Sequence, residues 1–571
     1  MADFITSMKF DPRIAQINDK VLYQVVKGSA DNNFVQENAN SKSSTNVTFS
    51  LNPPSESTVI DKNILVRATM KFKVVITGVP AADTAWSYGN ADAFQSWPLN
   101  RLFQNVTCTI NNTSTSINQA SIMPALVRMI PEDDLQKFNG FTPTMNDNYG
   151  VYQDGASSLS VAGLKAVFNN PLAGYTNSGH DQFLLGRGAH GLDITGFLVD
   201  RNISGGANDT SLISANIADV FTINFTATFT ESLMVSPLLF NGGPYMNHAG
   251  LLGVNNLGLV IQVDSTLKRM FSTASSAHRR VVPAAPPLNV PGDYVLTNES
   301  AGGFETIELL VNYLTAPIIQ DLPPKNTLPY KNYVNYQTTA ANDIPLRVAR
   351  TNAGLGTVSA QSVAINSISL EVVPSMIFVY AREPLALLGI GDPDVFLPIS
   401  SVDITFGNKS GILSSATRQD LWRMSRKNGS KISWEGFKGL AGSWDQASAG
   451  VRDVGTCGSL LVFSPAEDFA IQAPYISGGS VGQFNLAMRL MVENNNPDRV
   501  IKPEINVIVV RDGIFSTISG MSSLTTGMLN SSTVMETIGA DKRGGPVEAD
   551  RFLTGGARSG GGSSKLSALS M

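Results

Sequence analysis

The residues whose types could do chemistry are four histidines, one Gly-x-Ser-x-Gly run, a few acidic clusters and one basic stretch. His180, His190, His248 and His278 show no helical four-residue spacing, and none stands beside a metal-type carboxylate cluster, so zinc or iron has no support. His180 and His190 share a glycine-rich segment with Asp181 and Asp193, and all four read as polar loop residues. Gly478-Gly479-Ser480-Val481-Gly482 matches the nucleophile elbow of serine hydrolases, whose chemistry needs a strand before the serine and a helix after it. Here the run leads into a strand-like stretch, and no histidine follows it. Glu132-Asp133-Asp134 and Glu467-Asp468 stand at expected helix starts or turns, where carboxylates cap free amides. There is no Gly-x-x-x-x-Gly-Lys phosphate loop. The expectation is a chain that is not an enzyme, with no catalytic, metal or cofactor residues.

The basic stretch carries Arg418, Arg423, Arg426, Lys427, Lys431 and Lys438, interleaved with Trp422, Trp434 and Phe437. Cations alternating with aromatics can hold nucleic-acid phosphates and stack bases. The plainer reading packs Leu421, Trp422 and Met424 under a short helix and leaves the cations wet; no second basic cluster completes a path. The plainer reading is preferred, and no sequence-specific nucleic-acid binding is expected.

Across 571 residues, 41 basic side chains face 46 acidic ones, so no global charge draws nucleic acid or an anionic membrane. Charged residues make up only 15%, which suits strands, turns and surfaces covered by neighbours. The two cysteines, Cys108 and Cys457, sit in strand-like runs and imply no disulfide framework. Neither a secretory signal nor a membrane-spanning apolar window is recognised, so synthesis in the cytosol is expected.

The elements follow from periodicity. Ile64, Val66, Ala68, Met70, Phe72 and Val74 alternate with Arg67, Lys71 and Lys73, which predicts a long half-buried strand. Phe221, Ile223, Phe225, Ala227 and Phe229 predict another. A pattern running from Pro98 to Met129 returns from Pro398 to Met424. Each copy has a β-type run (Val106 to Ile110; Val402 to Phe406), a polar turn, and a helix-like end with Leu126, Arg128, Met129 or Leu421, Arg423, Met424. The chain therefore reads as one β fold used twice. The expected division is an N-terminal arm at 1–45, a first roll at 46–265 with a loop insertion at 140–212, and a proline-rich linker at 266–300. A second roll at 301–515 and a flexible C-terminal tail at 516–571 follow.

The order of these elements resembles the double jelly-roll major capsid proteins of icosahedral DNA viruses, in the adenovirus-like lineage and especially in polinton-like viruses, virophages and adintoviruses. SLNPPSESTVIDKNILVRATMKFKV looks like the opening strands of the first roll. WPLNRLFQNVTCTINNTSTSINQ with its following helix looks like the roll's centre, FLPISSVDITFGNKSGILSSATRQDLWRMSRKNG like the second roll's centre, and VIVVRDGIF like its last strand. The resemblance implies an all-β chain of two tandem jelly rolls, each with about eight antiparallel strands. It also implies a homotrimer forming a pseudo-hexagonal capsomer, with neighbouring capsomers, penton and minor capsid proteins as partners in the virion. The family implies no catalytic residue. Readings from other classes are a glycan-binding or adhesive β-sandwich, a single-roll capsid protein with a protruding β domain, and a hydrolase on a β scaffold.

Overall fold

The computed structural model describes residues 31–77, 92–130, 193–202, 220–235, 250–273, 294–315, 326–348, 357–387, 396–445, 450–495 and 500–528, apart from a few positions within those spans. In the first half the main strands are β1 (Asp31–Asn38), β2 (Asn46–Leu51), β3 (Leu65–Thr77), β4 (Phe103–Ile110), β5 (Thr113–Asn118), β6 (Asp193–Asn202), β7 (Val220–Ser232), β8 (Leu257–Val263), β9 (Tyr294–Asn298) and β10 (Thr306–Thr315). The second half holds β11 (Asn326–Thr339), β12 (Ser359–Val372), β13 (Met376–Arg382), β14 (Ile399–Phe406), β15 (Lys409–Ile412), β16 (Leu460–Phe463), β17 (Val481–Asn494), β18 (Glu504–Ile518) and β19 (Met521–Thr526). Helices are few and short: α1 (Pro98–Leu102), α2 (Gln119–Val127), α3 (Arg418–Lys427), α4 (Trp434–Lys438) and α5 (Pro465–Asp468).

Strand pairing is antiparallel throughout and follows one plan twice. One sheet of the first half runs β1-β10-β3-β7-β6, and its facing sheet runs β2-β8-β4-β5. The second half repeats this as β11-β18-β13-β16 and β12-β17-β14-β15. Each set is a jelly roll, and the chain is a double jelly roll. The helix after the fifth roll strand recurs as well. Asn118 caps α2 by accepting the Ser121 amide, and Thr417 caps α3 in a reciprocal capping box with Asp420.

The alternation in β3 does what its period requires. Val66, Ala68, Met70, Phe72 and Val74 are buried, while Arg67 and Lys71 point outward. Phe72 stands directly opposite Phe225 of β7, with ring centroids 5.3 Å apart, and Phe94 lies 5.0 Å from both Phe72 and Phe229. Contacts of this kind add about 0.5–1.5 kcal/mol each beyond burial. In the second roll Leu486, Met488, Leu490 and Val492 of β17 fill the equivalent core.

Three expected boundaries differ from the structure. Residues 31–38, read as part of an arm, form an edge strand paired along its whole length with β10. Its sequence, DNNFVQEN, hides this because an edge strand tolerates polar residues on both sides. The stretches Tyr294–Asn298 and Thr306–Thr315, assigned to the linker and to the second roll, both pair with β3 and belong to the first roll. A hydrophobic run after a proline-rich segment carries no sign of which sheet it joins. Residues 516–526, placed in the tail, complete β18 and form β19, whose Ser and Thr residues pair as a hairpin. The insertion at 140–212 supplies β6 to the sheet edge and otherwise lies outside the described residues, as do residues 529–571.

One buried carboxylate ties the first roll to its helices. Glu231, at the end of β7, accepts the amides of Leu99 (2.9 Å) and Asn100 (3.0 Å) and the Asn100 side-chain amide (2.8 Å). Asn100 Oδ1 in turn accepts Gln119 Nε2 at 2.6 Å, at the first residue of α2. Burial pushes the Glu231 carboxyl up to about 7, against the pull of those donors and of Arg101. The folded protein therefore holds this proton more tightly than the unfolded chain, where the carboxyl titrates near 4.5. This group's contribution makes stability fall as pH rises from about 4.5 to about 7, then level off. Thermal melts across that range should show this slope in the parent and not in Glu231→Gln. That variant should also lose about 1–3 kcal/mol at low pH through unmet amide donors. Equal slopes in both proteins would remove Glu231 as the cause.

Candidate assembly interface

All four histidines, Asp181 and the Glu132-Asp133-Asp134 cluster lie outside the described residues, and Asp193 lies in β6. Ser480 is buried, its carbonyl accepts the Val373 amide, and strand β17 follows it at once. A nucleophile elbow needs a helix there. Asp468 accepts the Ser464 amide at 2.7 Å, which is capping chemistry at the start of α5, and Glu467 pairs with Lys427 at 2.7 Å. Cys108 and Cys457 are buried free thiols, and burial pushes Cys108 up to about 12. Among the described residues no group of three His, Cys, Asp or Glu side chains could hold a metal ion, and no helix is long and apolar enough to cross a membrane.

The basic stretch folds as helices α3 and α4. Leu421 and Phe437 are buried, and Trp422 donates its indole N–H to the Ile432 carbonyl at 3.1 Å while meeting Trp434 edge-on at 5.7 Å. Arg418 pairs with Glu493, and Lys438 with Glu435 at 2.9 Å. Arg418, Lys427 and Lys438 thus each face a carboxylate of the same roll.

The structure instead brings together residues that sequence reasoning did not single out, at the seam between the two rolls. Strand β18 is buried on both faces from Glu504 to Val510, so its outer face is covered as well as its inner one. Helix α2 of the first roll, of which every residue is buried, lies against this sheet through β11 and β13. On the covered face Arg382 of β13 stands opposite Glu504 of β18, with Nε 3.2 Å from Oε1. Arg382 Nη1 donates to the Ala120 carbonyl at 2.9 Å and Nη2 to Ser121 Oγ at 3.4 Å, while Tyr380 donates its hydroxyl to the Ser121 carbonyl. At the other end of the helix the Arg128 guanidinium lies 4.0 Å over the Phe396 ring, and the Arg128 carbonyl accepts the Lys431 amide at 2.9 Å.

A second set of contacts joins the β18–β19 hairpin to the first roll. Ser522 donates its amide to Asn112 Oδ1 at 2.8 Å, and its carbonyl accepts the Thr113 hydroxyl at 2.9 Å. The Gly520 amide reaches the Gly253 carbonyl at 3.2 Å, and its φ of +77° in front of Asn255 excludes a Cβ. The sequence did carry one signal of this seam. Arginine and glutamate close the apolar runs MIFVYAR and open EINVIVV, where a buried charge requires a partner.

Removing one member of the buried pair leaves the other charged and unpaired. Arg382→Leu and Glu504→Leu should each cost about 3–5 kcal/mol, whereas the double variant should cost less than the sum. Denaturant unfolding of the three variants checks this. Strict additivity would show that the two groups do not act as a pair.

The same chain matches known proteins along its length. A family model described as the first domain of the Sputnik virophage major capsid protein matches residues 2–314, and one described as the major capsid protein V20 C-terminal domain matches residues 334–513. The division between them falls between β10 and β11, where the strand pairing also divides the rolls. The putative capsid protein V20 of Sputnik virophage is 23% identical over 531 residues, spanning 90% of this chain and 78% of that one. Among solved structures, a chain of the Sputnik virophage determined by cryo-electron microscopy superposes with a TM-score of 0.70 at 21% identity, covering 92% of this chain and 94% of the other. The mavirus major capsid protein superposes with a TM-score of 0.66 at 16% identity, covering 91% and 95%. With the first-domain model alone matching more than half of its length, the chain belongs to the Sputnik virophage major capsid protein family.

Proposed function

We propose that three copies of this chain join head to tail into a capsomer of six rolls, and that such capsomers tile an icosahedral shell. The observation that carries this reading is the single strand plan used twice in one chain, each roll with its helix at the same place. Two like rolls per chain let a threefold ring present six like sides, so lattice neighbours meet nearly equivalent surfaces. The chemistry of the chain is that of contact rather than catalysis. Exposed Ile514, Ile518 and Met521 share one face of the β18–β19 hairpin, opposite the face seated on the first roll, and supply apolar area for a neighbour. Penton and minor capsid proteins complete the shell.

Light scattering of the purified protein, with electron microscopy of the same sample, tests this. The expected result is about three times the 60.9 kDa chain mass, with hexagonal outlines or shells. A monodisperse monomer at high concentration would overturn the capsomer.

A further inference from the structure

The two sheets of the first roll differ in what they turn outward. Sheet β1-β10-β3-β7-β6 carries Arg67, Lys71 and Glu308 on its outer face. The outer face of β2-β8-β4-β5 carries no charged side chain among the described residues. Register sets Thr48, Val260, Thr107 and Ser116 in one row across it, with Val260 41% exposed. The rows on either side are satisfied within the sheet: Asn105 donates its amide to Gln262 Oε1 at 2.8 Å, and the Thr109 hydroxyl donates to Ser114 Oγ at 3.2 Å. The corresponding face of the second roll, on β12-β17-β14-β15, is also built from short side chains, with Ser362, Met491 and Ser401 in one row. In the next row Arg489 and Asp403 stand directly opposite each other, so the centre of that face carries no net charge. The seam occupies neither face. The first roll enters it through α2, which follows β5, and the second roll through its other sheet. The β18–β19 hairpin reaches only one end of the first-roll face, at Asn112 and Thr113.

Resting on the trimer reading, we propose that these two faces meet between capsomers. The β2-β8-β4-β5 face of one copy lies flat on the β12-β17-β14-β15 face of a copy in the neighbouring trimer. The order of rolls gives that pairing. First and second rolls alternate around a ring of six, so a first roll stands diametrically opposite a second roll. Capsomers repeated by translation across a flat facet therefore bring unlike rolls together, a heterologous contact that propagates. The charges match as well, since an uncharged face and a face whose Arg489 and Asp403 oppose each other come together without burying an uncompensated ion. Short side chains have few rotamers to lose on contact, and they let two sheets close to a spacing of about 10 Å. Four strands about 4.8 Å apart and roughly five residues long make a face on the order of 300 Å². That is well under the roughly 800 Å² per partner of a stable pair. One such contact does not hold two capsomers, whereas several formed at once do. The trimer thus stays a free unit until a lattice grows around it.

The test uses the full-length protein, with light scattering and electron microscopy to follow trimers and their growth into sheets or shells. Val260→Lys sets a cation in the middle of the first-roll face. It should raise the concentration needed for growth about tenfold or more, while the trimer and the melting temperature are kept. Ala487→Glu, on β17 opposite Thr405, should do the same from the second-roll face. The chain carrying both substitutions sets Lys against Glu at every lateral contact and should regain growth. Val260→Lys trimers that grow as the parent does would overturn the contact. A double variant no better than the single ones would overturn the pairing of unlike rolls, and Val260→Lys falling apart into monomers would put the face inside the trimer instead. A monomeric parent overturns the trimer itself, whereas parent trimers that stay single at every concentration overturn this contact and leave the trimer standing.

Discussion

A buried ion pair that closes a seam is the constraint from which the rest of the molecule follows. Arg382 and Glu504 lie almost fully inside the protein, where the loss of water costs several kcal/mol per ion unless each group is hydrogen-bonded. Their mutual contact does not satisfy the guanidinium alone. The remaining donors go to the first turn of α2, so the second roll reaches its final polar environment only when the first roll is docked. In turn α2 is held in place by the chain from Glu231 through Asn100 to Gln119, which makes the core of one roll and the surface of the other a single mechanical unit. The hairpin of β18 and β19 adds a second attachment point, built from short polar side chains that fit against backbone carbonyls.

Much of the fold was legible because its strands obey simple periods. The alternation from Ile64 to Val74 and from Phe221 to Phe229 is a direct record of one face in the core and one outside. The recurrence of a Pro-led strand, a polar turn and a capped helix pointed to the duplication that the sheet orders display. Boundaries were less legible, for a physical reason. Pairing partners of β1, β9 and β10 are set by contacts more than 200 residues away in sequence, which no local pattern encodes. The polar edge strand Asp31–Asn38 lacks even the alternation that would have marked it as a strand.

The residues of the seam were harder still to find. Arginine at the end of one apolar strand and glutamate at the start of another are each unremarkable alone, and only the register of β13 against β18 joins them. The basic stretch at 418–438 drew notice by composition, yet its cations at Arg418, Lys427 and Lys438 are committed to carboxylates of their own roll. Its aromatics pack against one another and the core. Composition shows that charges are present; geometry decides what they face.

Duplication with divergence gives the molecule its logic. One copy of the helix became apolar and was enclosed within the chain, while the other kept a capped, charged outer side. The measurement that bears most directly on this account is a cryo-electron microscopy map of the isolated capsomer. The account predicts that about a sixth of a turn relates the first roll to the second roll of one chain, and about the same rotation relates that second roll to the first roll of the next. Two rolls of one chain related by a quite different rotation, or neighbouring chains touching only through first rolls, would contradict it.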